Sequence, residues 1–370
     1  MKIGYIVNAR IPSSKAHGIQ IMKMCEAFAL HGHEVVLIAP NRHTSIKDDP
    51  FLYYGVRSIF KIKKLWTIDT VRFGKIGFRF HHLLFSLVSA CYAASGKFDI
   101  IYSRDDLPLL LLTLSHKRLA LESHMGRYNL LTALVLRSGA KLTVISNRLK
   151  EFYVSKGVPE SQILVAHDAV DLEEFDTSIG KEDARRRLGL PIDGKIIMYI
   201  GALKEWKGYL TLLESSKYLP DDIRIVIIGS MGKQVDSLPK AYPHAIFLGI
   251  QPYRDLPVNQ KAADVLVIPN TITNDPFELF TSPLKVFAHM ASGVPIIASD
   301  VPPLREVLSD KNSFIFKAGD PKDLAEKIKL AVNSPDEGAK RARQAKSDVE
   351  QYTWRKRAKS ILEHIALIKS

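Results

Sequence analysis

Short apolar runs alternate with longer stretches of helical period along most of the chain. Runs of strand length occur at 2–8, 34–40, 98–104, 118–122 and 141–147, and again at 195–201, 223–229, 245–249, 263–269 and 295–299. Their nearly uniform apolar character is typical of strands covered on both faces. Strands separated by helical stretches predict βαβ units and parallel sheets.

The helical stretches and a linker divide this pattern in two. Between Ile19 and Leu30 the polar residues recur every third position, which predicts a helix. The segment 163–175 closes the first series, and DTSIGK (176–181) has the composition of a linker. We therefore expect two α/β domains, at 1–176 and 182–348. An amphipathic helix carrying Trp354 follows, within 349–370.

Composition is typical of a soluble globular protein. The 370 residues are 46% hydrophobic and 25% charged. Cys25 and Cys91 lie in apolar segments, which favours buried, reduced thiols over a disulfide or metal site and indicates a cytoplasmic chain. The first residues have the pattern of a strand and not of a signal peptide. The longest apolar run, 83–94, is too short to span a bilayer.

Positive charge is concentrated in one quarter of the chain. The net charge is +13, and residues 57–148 contain fifteen Lys or Arg against five Asp or Glu. Such a region can attract nucleic acid, anionic lipid or a phosphorylated substrate. No nucleic-acid-binding motif is present, so nucleic acid is disfavoured as a partner.

Six basic residues precede the apolar run 83–94: Lys61, Lys63, Lys64, Arg72, Lys75 and Arg79. A basic segment beside an apolar helix suits peripheral docking on an anionic membrane. A buried helix beside a solvated basic face is the alternative. The docking hypothesis places the protein in the cytoplasm, on the inner face of the cell membrane.

Residues that follow strands are candidates for a site, because ligands of open parallel sheets bind at the carboxyl ends of the strands. The first strand leads into NARIPSSKAHGIQ, which lacks the G-x-G-x-x-G fingerprint of dinucleotide-binding enzymes. A nicotinamide-dependent oxidoreductase is therefore disfavoured. Gly18 and the polar loop before it suit an anion at a helix start, although an ordinary βα turn also fits.

His124 follows another predicted strand, in RLALESHMGRY. A histidine at this position can hydrogen-bond a substrate or transfer a proton, because its pKa is ordinarily near neutral. A generic surface histidine is an equally good interpretation of the local sequence. No spacing of histidines or cysteines indicates a zinc site.

Two lysines follow strands of the second series. Gly201 and Lys207 lie in YIGALKEWKG, and Lys285 lies in SPLKVFAHMASG, where Ser282 and Pro283 are typical of a helix start. A lysine in the first turn of a helix opposes the helix dipole unless an anion binds there. The two lysines, at helix starts on the same edge of one sheet, predict a diphosphate site.

At these motifs the chain resembles the retaining, family-4-like glycosyltransferases of GT-B architecture, in particular the sub-group with Ser-Pro-x-Lys. The resemblance extends nearly end to end. It includes RIPSSKAHGIQIMKMCEAFALHGHEVVLIAP, VISNRLKEF, VAHDAVDLEEF, YIGALKEWKG and SPLKVFAHMASGVPIIASD, and ends at the Tyr352–Trp354 segment. It implies two Rossmann-like domains facing a cleft, with the C-terminal helix crossing back to the first domain.

The resemblance also implies residue roles. Lys207 and Lys285 would bind the donor diphosphate, together with the backbone amides of Ser282, Leu284 and their neighbours. Gly201 belongs to the donor-phosphate loop, Gly18 would lie by the donor phosphates and the acceptor, and His124 would lie near the transferred sugar.

The resemblance further implies retention at the anomeric carbon, with neither an essential metal nor a cofactor. Cationic side chains and helix N-termini would neutralise the leaving diphosphate. It assigns no nucleophile, so a front-face substitution is the mechanism we expect.

The sequence departs from the family pattern in the donor region. Many relatives carry two glutamates spaced E-x(7)-E, where this chain has Phe280 and Ala288. Glu278 is a candidate to contact sugar hydroxyls in place of the first. Many relatives also have an arginine where this chain has Ala202, and Lys204 is a candidate to replace it.

These features leave two hypotheses. The first is an active hexosyltransferase with a nucleotide-sugar donor, UDP-linked by default, and a lipid-linked or cell-surface glycan precursor as acceptor. The second is a weakened or inactive homologue that acts as a binding or scaffold protein. Retention of Lys207 and Lys285 favours the enzyme.

Overall fold

The computed structural model describes residues 1–115, 118–230, 232, 237–272, 280 and 284–367. Contacts divide the chain into two compact units. The first contains Met1–Asp168 and the terminal segment that begins at Trp354, and the second contains Ala169–Thr353. Each unit is built on one parallel sheet.

The first unit has a seven-stranded sheet. Its strands are β1 Lys2–Ile6, β2 Glu34–Pro40, β3 Lys61–Leu65, β4 Ile100–Ser103, β5 Leu119–Ser123, β6 Lys141–Val144 and β7 Ile163–Val165. They pair in parallel in the order β3-β2-β1-β4-β5-β6-β7. The strand order reverses between β1 and β4, and such a switch point is where open sheets bind ligands.

Before the terminal segment, the described helices of this unit are α1 Ala16–Leu30, α2 Pro50–Tyr54, α3 Gly74–Ser95, α4 Asp106–Leu112, α5 Leu130–Arg137 and α6 Asn147–Ser155. Single 3₁₀ turns occur at Val71–Phe73 and Glu160–Gln162. Helix α1 begins at Ala16, three residues before the predicted start. Lys15 is the extended N-cap residue, and its carbonyl accepts the backbone N–H of Gly18 at 2.9 Å.

The second unit has a six-stranded parallel sheet. Its strands are β8 Lys195–Ile200, β9 Ile223–Ile228, β10 Ile246–Gly249, β11 Val265–Ile268, β12 Ile296–Ser299 and β13 Phe314–Phe316, in the order β10-β9-β8-β11-β12-β13. Alternate residues of β8 belong to different apolar clusters, Ile197 and Tyr199 to one and Ile196 and Met198 to another. The sheet is therefore covered on both faces, as the uniform apolar runs predicted, and its switch point lies between β8 and β11.

The described helices of this unit are α7 Lys181–Leu188, α8 Tyr209–Ser215, α9 Leu238–Ala241, α10 Leu256–Lys261, α11 Leu284–Ser292, α12 Pro302–Arg305, α13 Pro321–Asn333 and α14 Pro335–Asp348. The 3₁₀ turns are Leu172–Phe175, Glu205–Lys207, Ser216–Tyr218, Tyr253–Asp255 and Val349–Gln351.

The terminal helix, α15 (Trp354–Ala366), returns to the first unit, as predicted. It packs against α1 and β6. Its buried face carries Trp354, Arg357, Ala358, Ile361, Leu362 and Ile365. His31, the residue after α1, lies 2.8 Å from the carbonyl oxygen of Arg355, and His364 lies 3.0 Å from that of Gln162.

Sequence patterns missed two strands and extended others. β3 reads KIKKL and has exposed lysines, because it lies at the edge of its sheet. β13 has only three residues, too few for a pattern. In the segment 163–175, only Ile163–Val165 is a strand, and Leu172–Phe175 forms a 3₁₀ turn.

Truncation of the buried face of α15 tests how far this helix stabilises the first unit. Ile361 is fully buried, so Ile361→Ala should lower the free energy of unfolding by about 2–5 kcal/mol through lost apolar contacts and a cavity. Urea-induced unfolding followed by circular dichroism measures the change. The control Lys359→Ala alters an exposed residue of the same helix and should shift stability by about 0.5 kcal/mol or less. Equal stability of the two variants would contradict the packing described here.

Candidate functional site

The loop after β8 places Lys207 at the switch point of the second sheet. Gly208 follows with φ +67°, and a Cβ atom on it would lie 1.6 Å from the carbonyl oxygen of Pro269, just beyond β11. Only glycine therefore allows this close approach. The backbone N–H of Thr271 donates to the carbonyl of Trp206 at 2.9 Å, which holds the two strand ends together.

Lys285 supplies the second cation of this site. It is the second residue of α11, and its Nζ is buried without a hydrogen-bond partner among the residues that the structure describes. The ammonium lies 4.8 Å from the centroid of the Tyr199 ring, at the end of β8. Burial, and then the charge of Lys207, lowers the pKa of Lys285 well below its usual value. The two lysines therefore converge.

Lys204 adds a third positive charge. Burial lowers the pKa of Lys207, and the charge of Lys204 lowers it further. Lys204 itself is exposed, and its role as a substitute for the arginine missing at Ala202 stays a prediction. A group of cations, one of them buried, is costly unless an anion compensates it. We name Lys204, Lys207 and Lys285 the lysine cluster.

The structure revises the argument that predicted an anion at Lys207. Lys207 ends the 3₁₀ turn Glu205–Lys207, and α8 begins only at Tyr209, so Lys207 precedes the helix and is not in its first turn. The burial of the Lys285 ammonium and the repulsion between Lys207 and Lys285 indicate an anion site. The argument from an unfavourable helix dipole does not apply to Lys207. Lys285 does lie in the first turn of α11 as described.

Four other donor-binding residues were predicted in the second unit, and the structure describes two of them. Gly201 directly follows β8, and Leu284 is the first described residue of α11, where it is half-buried. Ser282 and Glu278 lie outside the described residues. The roles assigned to these residues therefore stay predictions.

Ala288 lies in the core. It is 3% exposed and belongs to an apolar cluster with Phe287, Ile268 and Ile296. Its methyl group thus contributes to packing, at the position where many relatives were expected to carry a glutamate. Nearby His289 is fully buried, and its Nδ1 lies 2.8 Å from Nε2 of Gln260. Burial, and then Lys285, lowers the pKa of His289 to about 3, so its ring is neutral near pH 7.

In the first unit, Glu122 at the end of β5 is the centre of a buried hydrogen-bond network. One carboxylate oxygen accepts from Gln20, Arg357 and His124 at 2.6, 2.6 and 2.8 Å, and the other accepts from Tyr5 at 3.1 Å. Burial raises the pKa of a carboxyl group, but Arg357 and then His124 hold the pKa of Glu122 well below its usual value. Glu122 is therefore ionised and internally compensated.

Arg357 is a site residue that was not predicted from the sequence. Its Nε donates to the carbonyl of His167 at 2.9 Å, and its Nη2 donates to Glu122. One signal could have found it, because Arg357 lies three residues after Trp354 and four before Ile361. The helical period therefore places a cation on the apolar face of α15.

His124 lines a cavity of about 880 Å³ bounded by α3 and the ends of β4 and β5, which we name the α3 cavity. Its walls carry the cations Lys75, Arg79, Arg104 and Arg127 and the acids Asp105 and Asp106. Burial and the charge of Arg104 lower the pKa of His124 to about 4, against the opposing effect of Glu122. The ring is therefore neutral near pH 7. At that pH His124 can form hydrogen bonds, but it is not an imidazolium that could act as an acid.

Close packing requires glycine at position 18, which the sequence alone did not reveal. A Cβ atom there would lie 2.3 Å from the hydroxyl of Tyr54. That hydroxyl accepts the backbone N–H of Ser13 and donates to its carbonyl, at 2.6 and 2.8 Å. Tyr54 thereby fixes the loop after β1, and Gly18 makes room for it.

The predicted site residues thus form two groups. Lys207, Lys285 and Gly201 come together at the switch point of the second sheet. His124 and Gly18 belong to the first unit, where Gln20 of α1 links the helix that contains Gly18 to Glu122. Within the described parts of the chain, no group of three or more His, Cys, Asp or Glu residues could hold a metal ion.

The second unit is similar in sequence to known proteins. Residues 180–348 match the family described as Glycosyl transferases group 1. A D-inositol 3-phosphate glycosyltransferase of Corynebacterium urealyticum is 27% identical over 222 residues, which are 55% of this chain and 51% of that protein. Sulfoquinovosyl transferase SQD2 of Arabidopsis thaliana is 25% identical over 60% of this chain and 43% of its own length. The alignment thus spans about half the length of these relatives, and the family match lies within the second unit.

The fold agrees over the whole chain. Anabaena Alr3699/HepE in complex with UDP-glucose superimposes with a TM-score of 0.76 over 99% of both chains, at 15% identity. A sucrose-phosphate synthase from Thermosynechococcus elongatus gives a TM-score of 0.75 over 98% of this chain and 97% of its own, at 19% identity. The predicted GT-B fold is confirmed.

Replacing Lys285 tests whether the lysine cluster is unsatisfied without a ligand. Lys285→Met removes a buried amino group that has no hydrogen-bond partner in the described structure, so the ligand-free protein should gain about 1–3 kcal/mol of stability. Pyrophosphate should raise the melting temperature of the wild type by mass action and should leave that of the variant unchanged. Differential scanning fluorimetry measures both effects.

Lys195→Met is the matched control, since Lys195 is exposed at the start of β8. It should behave as the wild type in both respects. A Lys285→Met variant that is less stable and still protected by pyrophosphate would contradict the anion site.

Proposed function

We propose that the protein is a hexosyltransferase that transfers a sugar from a nucleoside-diphosphate sugar to an acceptor with retention of configuration. The observation that carries this proposal is the lysine cluster. Two converging lysines, one of them buried and unpartnered within the described structure, fit the two phosphates of a donor. As the donor leaves, the same charges stabilise the diphosphate, so the proposed mechanism needs no essential metal.

The names of similar proteins support this class of reaction. The relatives include glycosyltransferases, and Alr3699/HepE was solved with UDP and with UDP-glucose. UDP is therefore our default nucleotide. The group 1 domain covers residues 180–348, which agrees with donor binding by the proposed second domain, 182–348.

The first unit is the proposed acceptor side. The α3 cavity offers the carboxylates of Asp105 and Asp106 for hydroxyl groups, and Lys75, Arg79, Arg104 and Arg127 for an anionic group. This mixture suits a lipid-linked or cell-surface glycan precursor that carries a phosphate.

A weakened or inactive homologue is the second candidate, and the departures at Ala288 and Ala202 favour it. Ala288 is a core residue and can make no polar contact with a ribose. The unpartnered Lys285 argues against this candidate, because a scaffold gains nothing from an uncompensated buried charge. Nucleotide binding separates the two candidates.

Calorimetric titration with UDP and a panel of other nucleoside diphosphates tests the donor site. The wild type should bind at least one of them. Lys207→Ala and Lys285→Ala should each weaken binding about 10- to 150-fold, since a hydrogen bond to a charged group is worth roughly 1.5–3 kcal/mol. The control Lys195→Ala should leave the affinity unchanged. If the wild type binds none of the panel, the scaffold hypothesis is favoured.

A stripe of exposed apolar side chains on α3 supports contact with a membrane. Ile76, Phe80, Leu83 and Leu87 recur at helical spacing along α3, and Phe73 directly precedes the helix; we name these five residues the α3 stripe. All are exposed, and Ile76 is 82% exposed. The opposite face of α3, which includes His81 and Phe85, is buried against the first unit. Exposed apolar side chains aligned on one face of a helix are typical of an interaction site.

Charge beside the stripe favours an anionic lipid surface as the partner. Arg72, Lys75 and Arg79 are exposed on and just before the same helix. Exposed Trp66 lies in the preceding loop, which Thr70 ties to α3 through a 2.6 Å hydrogen bond to the carbonyl of Gly77. No described helix is both long and apolar enough to cross a membrane. We therefore propose that α3 docks on the inner face of the cell membrane and brings the α3 cavity to its acceptor.

Vesicle flotation tests this docking. The protein should bind phosphatidylglycerol vesicles at low salt and release at high salt, because screening weakens the attraction of the basic residues. The double variant Ile76→Ser/Phe80→Ser should bind at least about tenfold more weakly, through lost apolar burial. The control Leu114→Ser removes a fully exposed leucine outside the stripe and should bind as the wild type.

Equal binding to phosphatidylcholine and phosphatidylglycerol vesicles would contradict the electrostatic part of the proposal. Wild-type binding by the stripe variant would contradict the apolar part.

A further inference from the structure

We propose that Arg357 and Glu122 are positioning residues, which hold His124 as a neutral imidazole with a proton on Nε2 and an open lone pair on Nδ1 for a ligand hydroxyl. The ligand part of this inference rests on the proposed function, because a sugar supplies the hydroxyl. The part that concerns the ring itself rests on the hydrogen-bond network alone.

The tautomer of His124 follows from the chemistry of its partner. An ionised carboxylate only accepts hydrogen bonds, so the Nε2 atom 2.8 Å from Glu122 must carry the proton. A neutral ring then has no proton on Nδ1. Among the described residues no hydrogen bond to Nδ1 is present, and the side chain is 17% exposed to the α3 cavity. His124 can therefore accept a hydrogen bond there but not donate one.

Arg357 has two effects on this pair. It keeps Glu122 ionised, so that the carboxylate only accepts hydrogen bonds, and it keeps His124 from becoming protonated. In a simple His–Glu pair, the carboxylate would stabilise an imidazolium. Here Arg357 already neutralises Glu122 at 2.6 Å, and both residues are at most 2% exposed in their side chains. The guanidinium is fixed by the carbonyl groups of Ala166 and His167 at 3.3 and 2.9 Å. The arginine thus supplies the positive charge that His124 would otherwise acquire.

Arg104 acts on His124 in the same direction as Arg357. Arg104, after β4, lowers the pKa of His124, as does Arg357 from α15, and Glu122 raises it. Arg104 donates to Gln20 at 3.1 Å, and Gln20 donates to Glu122, so Arg104 also belongs to the network. Asp168 faces Arg357, and burial raises the pKa of Asp168 to about 7 against the effect of that arginine. A second carboxyl group is therefore only partly charged near neutral pH.

Nitrogen NMR of the full chain labelled with ¹⁵N-histidine tests the state of His124 directly. The His124→Gln variant assigns its resonances among those of the twelve histidines. In the wild type, Nε2 should be protonated and Nδ1 unprotonated at pH 7, and the ring should remain neutral down to about pH 5.5, since its pKa is about 4. A protonated Nδ1 or an imidazolium at pH 7 would overturn the inference. This measurement needs no variant other than the one used for assignment.

Arg357→Gln tests the role of the arginine. Loss of its charge should raise the midpoint of His124 titration by roughly one pH unit or more, because Glu122 would then stabilise the imidazolium. Arg357→Lys keeps the charge and should titrate close to the wild type. Arg355→Gln is the matched control, since Arg355 is an exposed arginine on the same helix. If folded Arg357→Gln titrates as Arg355→Gln does, the positioning role is wrong.

Addition of UDP-glucose distinguishes this inference from the proposed function. If calorimetry shows that UDP-glucose binds, the Nδ1 resonance should shift in the wild type as a hydroxyl donates to it. Binding without a shift would overturn the hydroxyl contact and leave the transferase proposal intact. If no nucleotide binds, the proposed function fails, and the titration of His124 still decides whether Arg357 and Glu122 position the ring.

Discussion

Glu122 is a fully buried ionised carboxylate, and the first unit is organised to compensate it. Donors reach it from β1, α1 and α15 and from His124 beside it, so the strand ends, the first helix and the terminal helix are held at one point. An unpaired charge at this depth would cost several kcal/mol. The second unit leaves the same constraint open, because Lys285 is buried next to Lys207 without a partner in the described structure. A ligand that carries two negative charges would complete it.

Parallel-sheet topology explains why these charges lie where they do. In each sheet the strand order reverses once, between β1 and β4 and between β8 and β11. Loops that leave neighbouring strands in opposite directions open a crevice there. Lys207 and Arg104 lie on loops at these points, and Gly208 allows one loop to approach the other closely. Backbone topology therefore brings these charged residues to the switch points of the two sheets.

Much of this arrangement could be predicted from the sequence. Uniform apolar runs such as EVVLIAP and IRIVIIG are strands because both faces of their sheets are covered, and the pattern records that burial. The pairing of Lys207 with Lys285 was also predictable, because both follow strands that the topology makes neighbours. The argument from sequence placed both lysines at helix starts, whereas Lys207 precedes its helix. The burial of Lys285 is the stronger indication of an anion site.

Other features depend on contacts that no local pattern records. Arg357 and Glu122 are 235 positions apart, and a strand-end glutamate beside a histidine does not reveal its distant partner. Ala288 gives no sign in sequence that it packs within the core of the second unit. The exposed face of α3 was ambiguous, because the apolar run 83–94 has both buried members, such as Phe85, and exposed ones, such as Leu87. Only tertiary packing assigns each residue to a face.

A crystal structure of the protein with bound UDP is the most direct test of the central claim, that the lysine cluster binds the diphosphate of a sugar nucleotide. We expect phosphate oxygens within hydrogen-bond distance of Nζ of both Lys207 and Lys285, at the switch point between β8 and β11. An ordered UDP whose phosphates contact neither lysine would contradict it.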